Sequence, residues 1–369
     1  MKKIVLILAA LALNQTLPAQ TIQAKKLDSY FKTLEDSNDF MGSVSVVVDG
    51  KEEYSKTVGY ADLDAKIRAD SDSKYGIGSI SKTFTAVLIF KAIESGDLAL
   101  DQTLDRFFPQ IPNAKKITIA QMLLHRSGIH DYLNNPDFLK RKRQPKTREQ
   151  MVAIIGKYRS DFTPGSKHAY SNSNYVLLSY ILEMLYNQPY ADILEQEIVE
   201  PLGLDNTSFG AKPEVKNGDC NPYVYKDKWH LAPRSDPSIL MGAGGLTSTP
   251  YDLTLFAEAL FGGRLLTEAS LTQMTEMKDR MGKDSIGMGL NKIPFLGTFG
   301  YGHTGRIDGF NSIFVYFPTE KISCAIISNG LNYALSDIMK ALLSGVIDKP
   351  VALPASGTGT HSIKNLPKR

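Results

Sequence analysis

Cysteine, tryptophan and long apolar runs are scarce in this sequence of 369 residues, which contains two cysteines and one tryptophan. So few cysteines exclude a small scaffold held together by several disulfides. Cys220 and Cys324 can pair only once, and Cys324 lies in an apolar strand-like run, so a disulfide and a buried free thiol are both open. No apolar run approaches the roughly 20 residues of a membrane-crossing helix.

An excess of charge of one sign is also lacking, because 42 Lys and Arg stand against 39 Asp and Glu, a formal net charge of +3. Overall charge therefore indicates no polyanionic partner. The dense basic run at residues 140–143, with Lys146 and Arg148, is interpreted as a solvated loop surface, with contact to an anionic envelope polymer or to lipid headgroups as the alternative. No aromatic residues interleave these cations, so we expect no nucleic-acid partner.

The N-terminus has the pattern of a secretory signal. Lys2 and Lys3 precede an apolar run over residues 4–13, and Ala19 is a small residue at which cleavage could occur. We therefore predict a signal peptide over residues 1–19 and a periplasmic or secreted protein without a transmembrane segment after its removal. An uncleaved anchor is the alternative, because the cleavage site is only a pattern.

Strand patterns lie at both ends of the sequence and helical patterns lie between them. Residues 43–63 contain two strand-like runs joined by Asp49-Gly50, a dipeptide that favours a tight hairpin. Further strands are predicted at residues 301–306, 309–317 and 321–328, and helical patterns at residues 79–95, 117–128, 149–158, 175–186 and 334–347.

This arrangement predicts an α+β fold (an α/β sandwich), in which an antiparallel sheet is assembled from both chain ends and flanked by helices. We expect residues 20–96 and 241–349 to form the sheet domain and residues 97–240 an inserted, mainly helical domain. Residues 350–369 are predicted to be a disordered tail, because they are polar and rich in Pro and Gly. A cleft between the two domains is the expected place for a site.

Polar residues begin an otherwise apolar helix at GIGSISKTFTA, residues 76–86. Ser79 and Lys82 are three residues apart, so on a helix their side chains lie on one face and can act as a pair. A lysine can take the proton of a serine, and so activate it as a nucleophile, if burial or nearby charge lowers the lysine pKa. The alternative is an N-cap serine followed by a surface lysine, and the same Ser-x-x-Lys pattern at Ser71 and Lys74 is interpreted as chance.

Two later segments favour the catalytic interpretation. A Pro-Gly turn precedes Tyr170-Ser-Asn172 at the start of a helix, and His303-Thr-Gly305 lies on a glycine-bordered strand. With Ser-x-x-Lys, the sequence resembles the serine β-lactamase and penicillin-binding protein superfamily, in particular the class C-like branch with its D-alanyl-D-alanine carboxypeptidase and esterase relatives. The resemblance covers residues 42–347 and implies a β-lactamase/transpeptidase-like fold.

The resemblance also implies roles for individual residues. Ser79 would be the nucleophile, Lys82 its proton partner, and Tyr170 the general base that acts with Lys82. Asn172 would bind a substrate amide or Lys82, and the backbone N–H groups of Ser79 and Arg306 would form an oxyanion hole.

The third motif departs from the lysine that drug-resistance enzymes generally carry. His303 replaces this fixed positive charge by an imidazole that is mostly neutral at pH 7 when unperturbed. Further substrate-binding candidates in this motif are Thr304, Gly305 and Arg306. Arg306 could supply the missing charge, although adjacent strand residues point to opposite faces. This difference favours an esterase or D-amino-acid-specific peptidase over a dedicated β-lactamase.

The prediction is therefore a serine hydrolase that cleaves an ester or a D-amino-acid-containing amide through an acyl-enzyme, with a small molecule, a peptide or a cell-wall fragment as substrate. A true class C-like β-lactamase and a non-catalytic envelope protein that binds peptidoglycan or penicillin are the alternatives. No metal and no cofactor are expected, because His125 and His130 have no carboxylate or cysteine set to complete a ligand sphere and are interpreted as structural. Tyr132-Leu-Asn134 also matches Tyr-x-Asn and is interpreted as structural too.

Overall fold

The computed structural model describes residues 22–281, 284–347 and 349–354. The predicted signal peptide and residues 355–369 of the predicted tail lie outside the described residues. Within these residues no helix is both long enough and apolar enough to cross a membrane.

The described residues contain fifteen strands and twelve α-helices. The strands are β1 (Phe40–Val48), β2 (Lys51–Val58), β3 (Tyr60–Asp62), β4 (Ile67–Arg68), β5 (Tyr75–Gly76), β6 (Ser208–Phe209), β7 (Tyr223–Tyr225), β8 (Trp229–Leu231), β9 (Leu246–Ser248), β10 (Asp279–Met281), β11 (Asp284–Ile286), β12 (Asn291–Phe295), β13 (Thr298–Ile307), β14 (Phe310–Phe317) and β15 (Ile322–Leu331). The helices are α1 (Ala24–Asp36), α2 (Ser81–Glu94), α3 (Ile119–Leu123), α4 (Pro136–Leu139), α5 (Arg148–Gly156), α6 (Asn172–Tyr186), α7 (Tyr190–Leu194), α8 (Glu200–Leu202), α9 (Pro237–Leu240), α10 (Pro250–Phe261), α11 (Glu268–Thr275) and α12 (Leu335–Val346).

One antiparallel sheet of eight strands organises the molecule, in the order β10-β11-β12-β13-β14-β15-β1-β2. Strand β1 from the N-terminal part pairs along its length with β15 from the C-terminal part, with Val44 opposite Ile326. The prediction of an α+β fold with a sheet built from both chain ends is therefore confirmed. The division into two domains stays a prediction.

Apolar residues pack against both faces of this sheet. Helices α1 and α12 cover one face through residues such as Phe31 and Leu342, both fully buried. Helices α2, α6 and α10 contribute to a larger cluster on the other face, where Phe84 stacks on Phe256 with ring centroids 3.8 Å apart. Helix α2 is consequently buried along most of its length, and its N-terminus is held against the sheet.

Local sequence signals account for several elements. The β1–β2 hairpin turns at Asp49-Gly50, where both residues have positive φ (50° and 82°), as a tight hairpin of this kind requires. The predicted helix over residues 117–128 is limited to α3, because the backbone turns into the left-handed region at His125 (φ 54°). Helix α1 was not expected, because its sequence is polar apart from the single apolar stripe that it buries.

Truncation of the stacked pair should loosen the attachment of α2. Phe84 is fully buried, so the Phe84→Ala variant should lose about 3–5 kcal/mol of unfolding free energy, from lost transfer energy and from the cavity left behind. The measurement is urea unfolding followed by circular dichroism. The Tyr251→Ala variant serves as control, because Tyr251 is 43% exposed and its loss should leave the midpoint nearly unchanged.

Candidate active site

Ser79 lies in a short 3₁₀ turn, Gly78–Ile80, that runs directly into helix α2. The turn is possible because Gly78 adopts φ 51°, a left-handed conformation that favours glycine. Ser79 therefore lies where the first backbone N–H groups have no acceptor within the helix. Such N–H groups can stabilise negative charge on the serine or on a bound oxygen.

Lys82 is a fully buried lysine, with no exposed side-chain area. Its Nζ donates to Ser79 Oγ at 3.1 Å, to Asn172 Oδ1 at 2.8 Å and to the Ala243 carbonyl at 2.5 Å. These three acceptors match the three N–H donors of an ammonium group. A buried ammonium group requires acceptors of this kind, and the three contacts fix Lys82 Nζ beside Ser79.

Tyr170 contacts the same serine. Its hydroxyl donates to Ser79 Oγ at 2.8 Å. Lys82 Nζ also lies 4.8 Å from the centre of the Tyr170 ring. Ser79, Lys82 and Tyr170 are thus brought together, as the first two motifs predict. Their roles in a reaction stay a prediction.

Asn172 begins helix α6 and bridges two charged side chains. Its Oδ1 accepts from Lys82, the second of the two contacts that the resemblance implied, and its Nδ2 donates to Asp131 Oδ2 at 2.8 Å. Asp131 is only 8% exposed. None of the three sequence motifs contains this carboxylate.

Strand β13 forms the other side of the site. Strand β12 pairs with β13 only as far as Gly302, so the outer edge of the following residues faces the turn that carries Ser79. A Cβ at Gly305 would lie 1.9 Å from the Ile77 carbonyl oxygen, and one at Gly78 would lie 2.7 Å from the Arg306 nitrogen. These two glycines therefore permit the close approach that an oxyanion hole between Ser79 and Arg306 requires.

The side chains of β13 divide between two environments. His303 is buried, and together with His125, His168 and Tyr170 it lines a cavity behind the tyrosine. Arg306 is exposed and lies on the opposite strand face from His303, on the same face as Thr304. Arg306 therefore does not take the position of a lysine at residue 303.

The second copies of the Ser-x-x-Lys and Tyr-x-Asn patterns lie away from the site. Ser71 is exposed and its pattern lies outside any helix, whereas Ser79 and Lys82 are buried at the start of α2. Tyr132 is fully buried, and its hydroxyl is bonded to the Ile239 carbonyl.

Cys220 and Cys324 are both buried free thiols.

Metal-ligating side chains are dispersed: the described residues hold no group of three or more His, Cys, Asp or Glu suited to a metal ion.

The family model described as beta-lactamase matches residues 27–345, most of the chain. The chain belongs to the beta-lactamase family. This match confirms the predicted relationship to the serine β-lactamase and penicillin-binding protein superfamily, and with it the prediction of a serine hydrolase.

Relatives of this beta-lactamase family member include enzymes that act on D-amino acid derivatives. A teichoic acid D-alanine hydrolase from Staphylococcus aureus is 29% identical over 247 residues, which are 66% of this chain and 57% of the relative. The chain thus spans little more than half the length of this curated relative.

Two solved structures share the fold over most of both chains. A D-stereospecific amidohydrolase from Streptomyces sp. is 28% identical, with a TM-score of 0.73 over 86% of this chain and 98% of its own. A D-amino acid amidase from Ochrobactrum anthropi SV3 is 24% identical, with a TM-score of 0.77 over 88% of this chain and 99% of its own. The second likeness shows the fold alone.

His125 is a neighbour of the site that the sequence analysis interpreted as structural. Its ring stacks on Tyr170 with centroids 4.3 Å apart, and its Nδ1 accepts the backbone N–H of Ser171 at 3.1 Å. Burial, with the nearby Lys82 charge as a second cause, lowers the pKa of His125 well below its usual range. A neutral imidazole therefore supports the tyrosine. His130 instead pairs with Asp161 at a more exposed position.

The depressed pKa of His125 makes folding stability depend on pH. Below about pH 6.5 the unfolded chain takes up a proton on this histidine and the folded protein does not, so stability should fall as pH decreases, by at most about 1.4 kcal/mol per pH unit. The His125→Asn variant should lose less stability than the wild type between about pH 7.5 and about pH 5.

The check on this pH dependence is urea unfolding of the wild type and of His125→Asn at each pH. Equal pH dependence in wild type and His125→Asn would show that His125 is not held neutral.

Proposed function

We propose that this protein is a secreted serine hydrolase that forms an acyl-enzyme at Ser79 and acts on esters or amides of D-amino acids. The observation that carries the proposal is the contact of one hydroxyl oxygen with two proton-transfer groups. Ser79 Oγ lies 2.8 Å from the Tyr170 hydroxyl and 3.1 Å from Lys82 Nζ. This is the nucleophile and base geometry of covalent catalysis.

In the proposed acylation step, Tyr170, ionised beside the Lys82 ammonium, takes the proton of Ser79 Oγ while that oxygen attacks the carbonyl carbon of the substrate. The carbonyl oxygen becomes an oxyanion and accepts hydrogen bonds from the backbone N–H groups of Ser79 and Arg306. The bond to the leaving group then breaks, and the departing alcohol or amine receives the proton from Tyr170.

Deacylation repeats the same steps with water as the nucleophile. Tyr170 takes a proton from water as the water oxygen attacks the acyl carbon, and the Ser79 oxygen leaves and recovers its proton. The products are a carboxylic acid and free Ser79. No group other than these side chains and water is needed for the balance of the reaction.

The substrate class rests on the relatives and on the third motif. The Staphylococcus aureus relative is a teichoic acid D-alanine hydrolase and the Streptomyces structure is a D-stereospecific amidohydrolase, which supports a D-configured acyl group. His303 stands where a fixed positive charge would anchor a β-lactam carboxylate, and Arg306 lies on the other strand face. An ester or amide is therefore favoured over a penicillin. The signal pattern at residues 1–19 supports secretion and a substrate in the cell envelope.

Replacement of the proposed nucleophile should abolish both turnover and labelling. A fluorophosphonate probe should add its mass to the wild-type peptide that contains Ser79, and the Ser79→Ala variant should show no adduct and at least about 1,000-fold lower turnover of a D-alanyl ester. Intact-protein and peptide mass spectrometry make the measurement.

The Ser71→Ala variant is the matched control, because Ser71 belongs to the second Ser-x-x-Lys pattern and is exposed. It should label and turn over like the wild type. Full labelling of Ser79→Ala, or an adduct on another serine, would contradict the proposed nucleophile.

A substrate panel should rank D-alanyl esters and amides above their L-alanyl counterparts and above nitrocefin in kcat/KM. With the carbonyl oxygen held in the same oxyanion hole, D- and L-acyl groups direct their side chains to different sides of the site, and the D-specific relatives favour the D form. Preferred turnover of nitrocefin would favour a true β-lactamase. Binding of penicillin or peptidoglycan fragments without turnover of any substrate would favour a non-catalytic binding protein.

A further inference from the structure

Asp131 is a buried carboxylate three hydrogen bonds away from Ser79 and outside the three motifs. Its Oδ2 accepts from Asn172 Nδ2 at 2.8 Å, and its Oδ1 accepts the Leu133 backbone N–H at 3.1 Å. Asn172 in turn accepts from Lys82. A continuous chain of hydrogen bonds therefore runs from Asp131 through Asn172 and Lys82 to Ser79.

The two ends of this chain fix the orientation of the Asn172 amide. A carboxylate only accepts hydrogen bonds and an ammonium only donates them, whereas an amide has one end of each kind. Asp131 therefore requires the Nδ2 end of Asn172, and this leaves Oδ1 to face Lys82. If the amide turned over, two donors would meet at Lys82 and two acceptors at Asp131.

The loop that carries Asp131 is attached to α6 independently of this carboxylate. Ser173 Oγ donates to the His130 carbonyl at 2.6 Å and accepts the Tyr132 backbone N–H at 3.2 Å. The position of residue 131 relative to Asn172 is thus set by neighbouring contacts. Removal of the charge should consequently leave the loop in place.

We propose that Asp131 is a positioning residue: it orients Asn172 so that the Asn172 carbonyl oxygen holds the Lys82 ammonium in line with Ser79 and Tyr170. This inference rests on the proposed acyl-enzyme function at Ser79. Its buried negative charge also offsets the buried positive charge of Lys82 across the polarised amide. Asp131 touches no reacting atom and acts only through Asn172.

The Asp131→Asn variant changes the donors and acceptors of this chain of hydrogen bonds but keeps the shape of the side chain. Its single side-chain oxygen caps Leu133, and its amide group then faces Asn172 as a donor. Asn172 turns its oxygen toward residue 131 and its NH₂ group toward Lys82. Because small misplacements of a catalytic group can cost about 100-fold, we expect kcat for a D-alanyl ester, and the rate of Ser79 labelling, to fall about 10- to 100-fold with KM nearly unchanged.

A reciprocal exchange separates positioning from simple structural support. In the double variant Asp131→Asn with Asn172→Asp, the carboxylate at 172 accepts from Lys82 and from the amide at 131, whose oxygen still caps Leu133. Every hydrogen bond of the chain is restored with the same net charge. The double variant should therefore recover most of the labelling rate that Asp131→Asn loses.

The matched control is Asp62→Asn. Asp62 makes the same pair of contacts, accepting the Ala65 backbone N–H at 2.9 Å and Asn221 Nδ2 at 3.1 Å, and neither contact involves Lys82. This variant should label Ser79 at the wild-type rate. Thermal unfolding of all variants shows how much folding stability each exchange costs.

The labelling rates distinguish the positioning role of Asp131 from the proposed function of Ser79. Normal labelling of wild type, with slow labelling of Asp131→Asn and recovery in the double variant, supports the positioning role. Normal labelling of Asp131→Asn, or slow labelling without recovery in the double variant, overturns that role and leaves the proposed function intact. Absence of any label on wild-type Ser79 rejects the proposed function and this inference with it.

Discussion

The burial of one ammonium group is the constraint on which the rest of the site depends. Lys82 has no exposed surface, and an unpaired charge in such a place would be strongly destabilising. Its acceptors come from separate parts of the chain: Ser79 before α2, Asn172 at the start of α6, and the Ala243 carbonyl before β9. When the chain folds so that these acceptors reach Lys82, it also assembles the site. Folding stability and the geometry of the site therefore depend on the same contacts.

A second constraint is the close approach of β13 to the turn that carries Ser79. Gly78 and Gly305 leave no room for a Cβ between turn and strand, and Ser312 Oγ donates to the Ile77 carbonyl at 2.8 Å from the neighbouring strand. The sheet thus holds the backbone N–H of Arg306 opposite the N-terminus of α2. The large sheet and the buried helix α2 thus form the frame that carries the polar groups of the site.

Much of this arrangement was predictable from the sequence, and what was not has a physical reason. Ser79, Lys82, Tyr170 and His303 belong to short patterns with known spacing, so their convergence could be expected. Asp131 is 41 residues from Asn172, and no periodicity or turn rule encodes such a contact. His125 was interpreted as structural because only the fold reveals that its ring lies against Tyr170. The strands β10 to β12 at one edge of the sheet pair with strands close in sequence. They were missed because they are only 3, 3 and 5 residues long, and because Pro294 lies within β12.

The central claim is that Ser79 attacks a carbonyl whose oxygen is held between turn and strand. The most direct measurement is a crystal structure of the protein after reaction with a D-alanine-derived phosphonate, which mimics the tetrahedral intermediate. The account predicts a covalent bond from phosphorus to Ser79 Oγ, with one phosphonyl oxygen within hydrogen-bonding distance of the backbone N–H groups of Ser79 and Arg306. A bond to any other residue, or a phosphonyl oxygen directed away from β13, would contradict it.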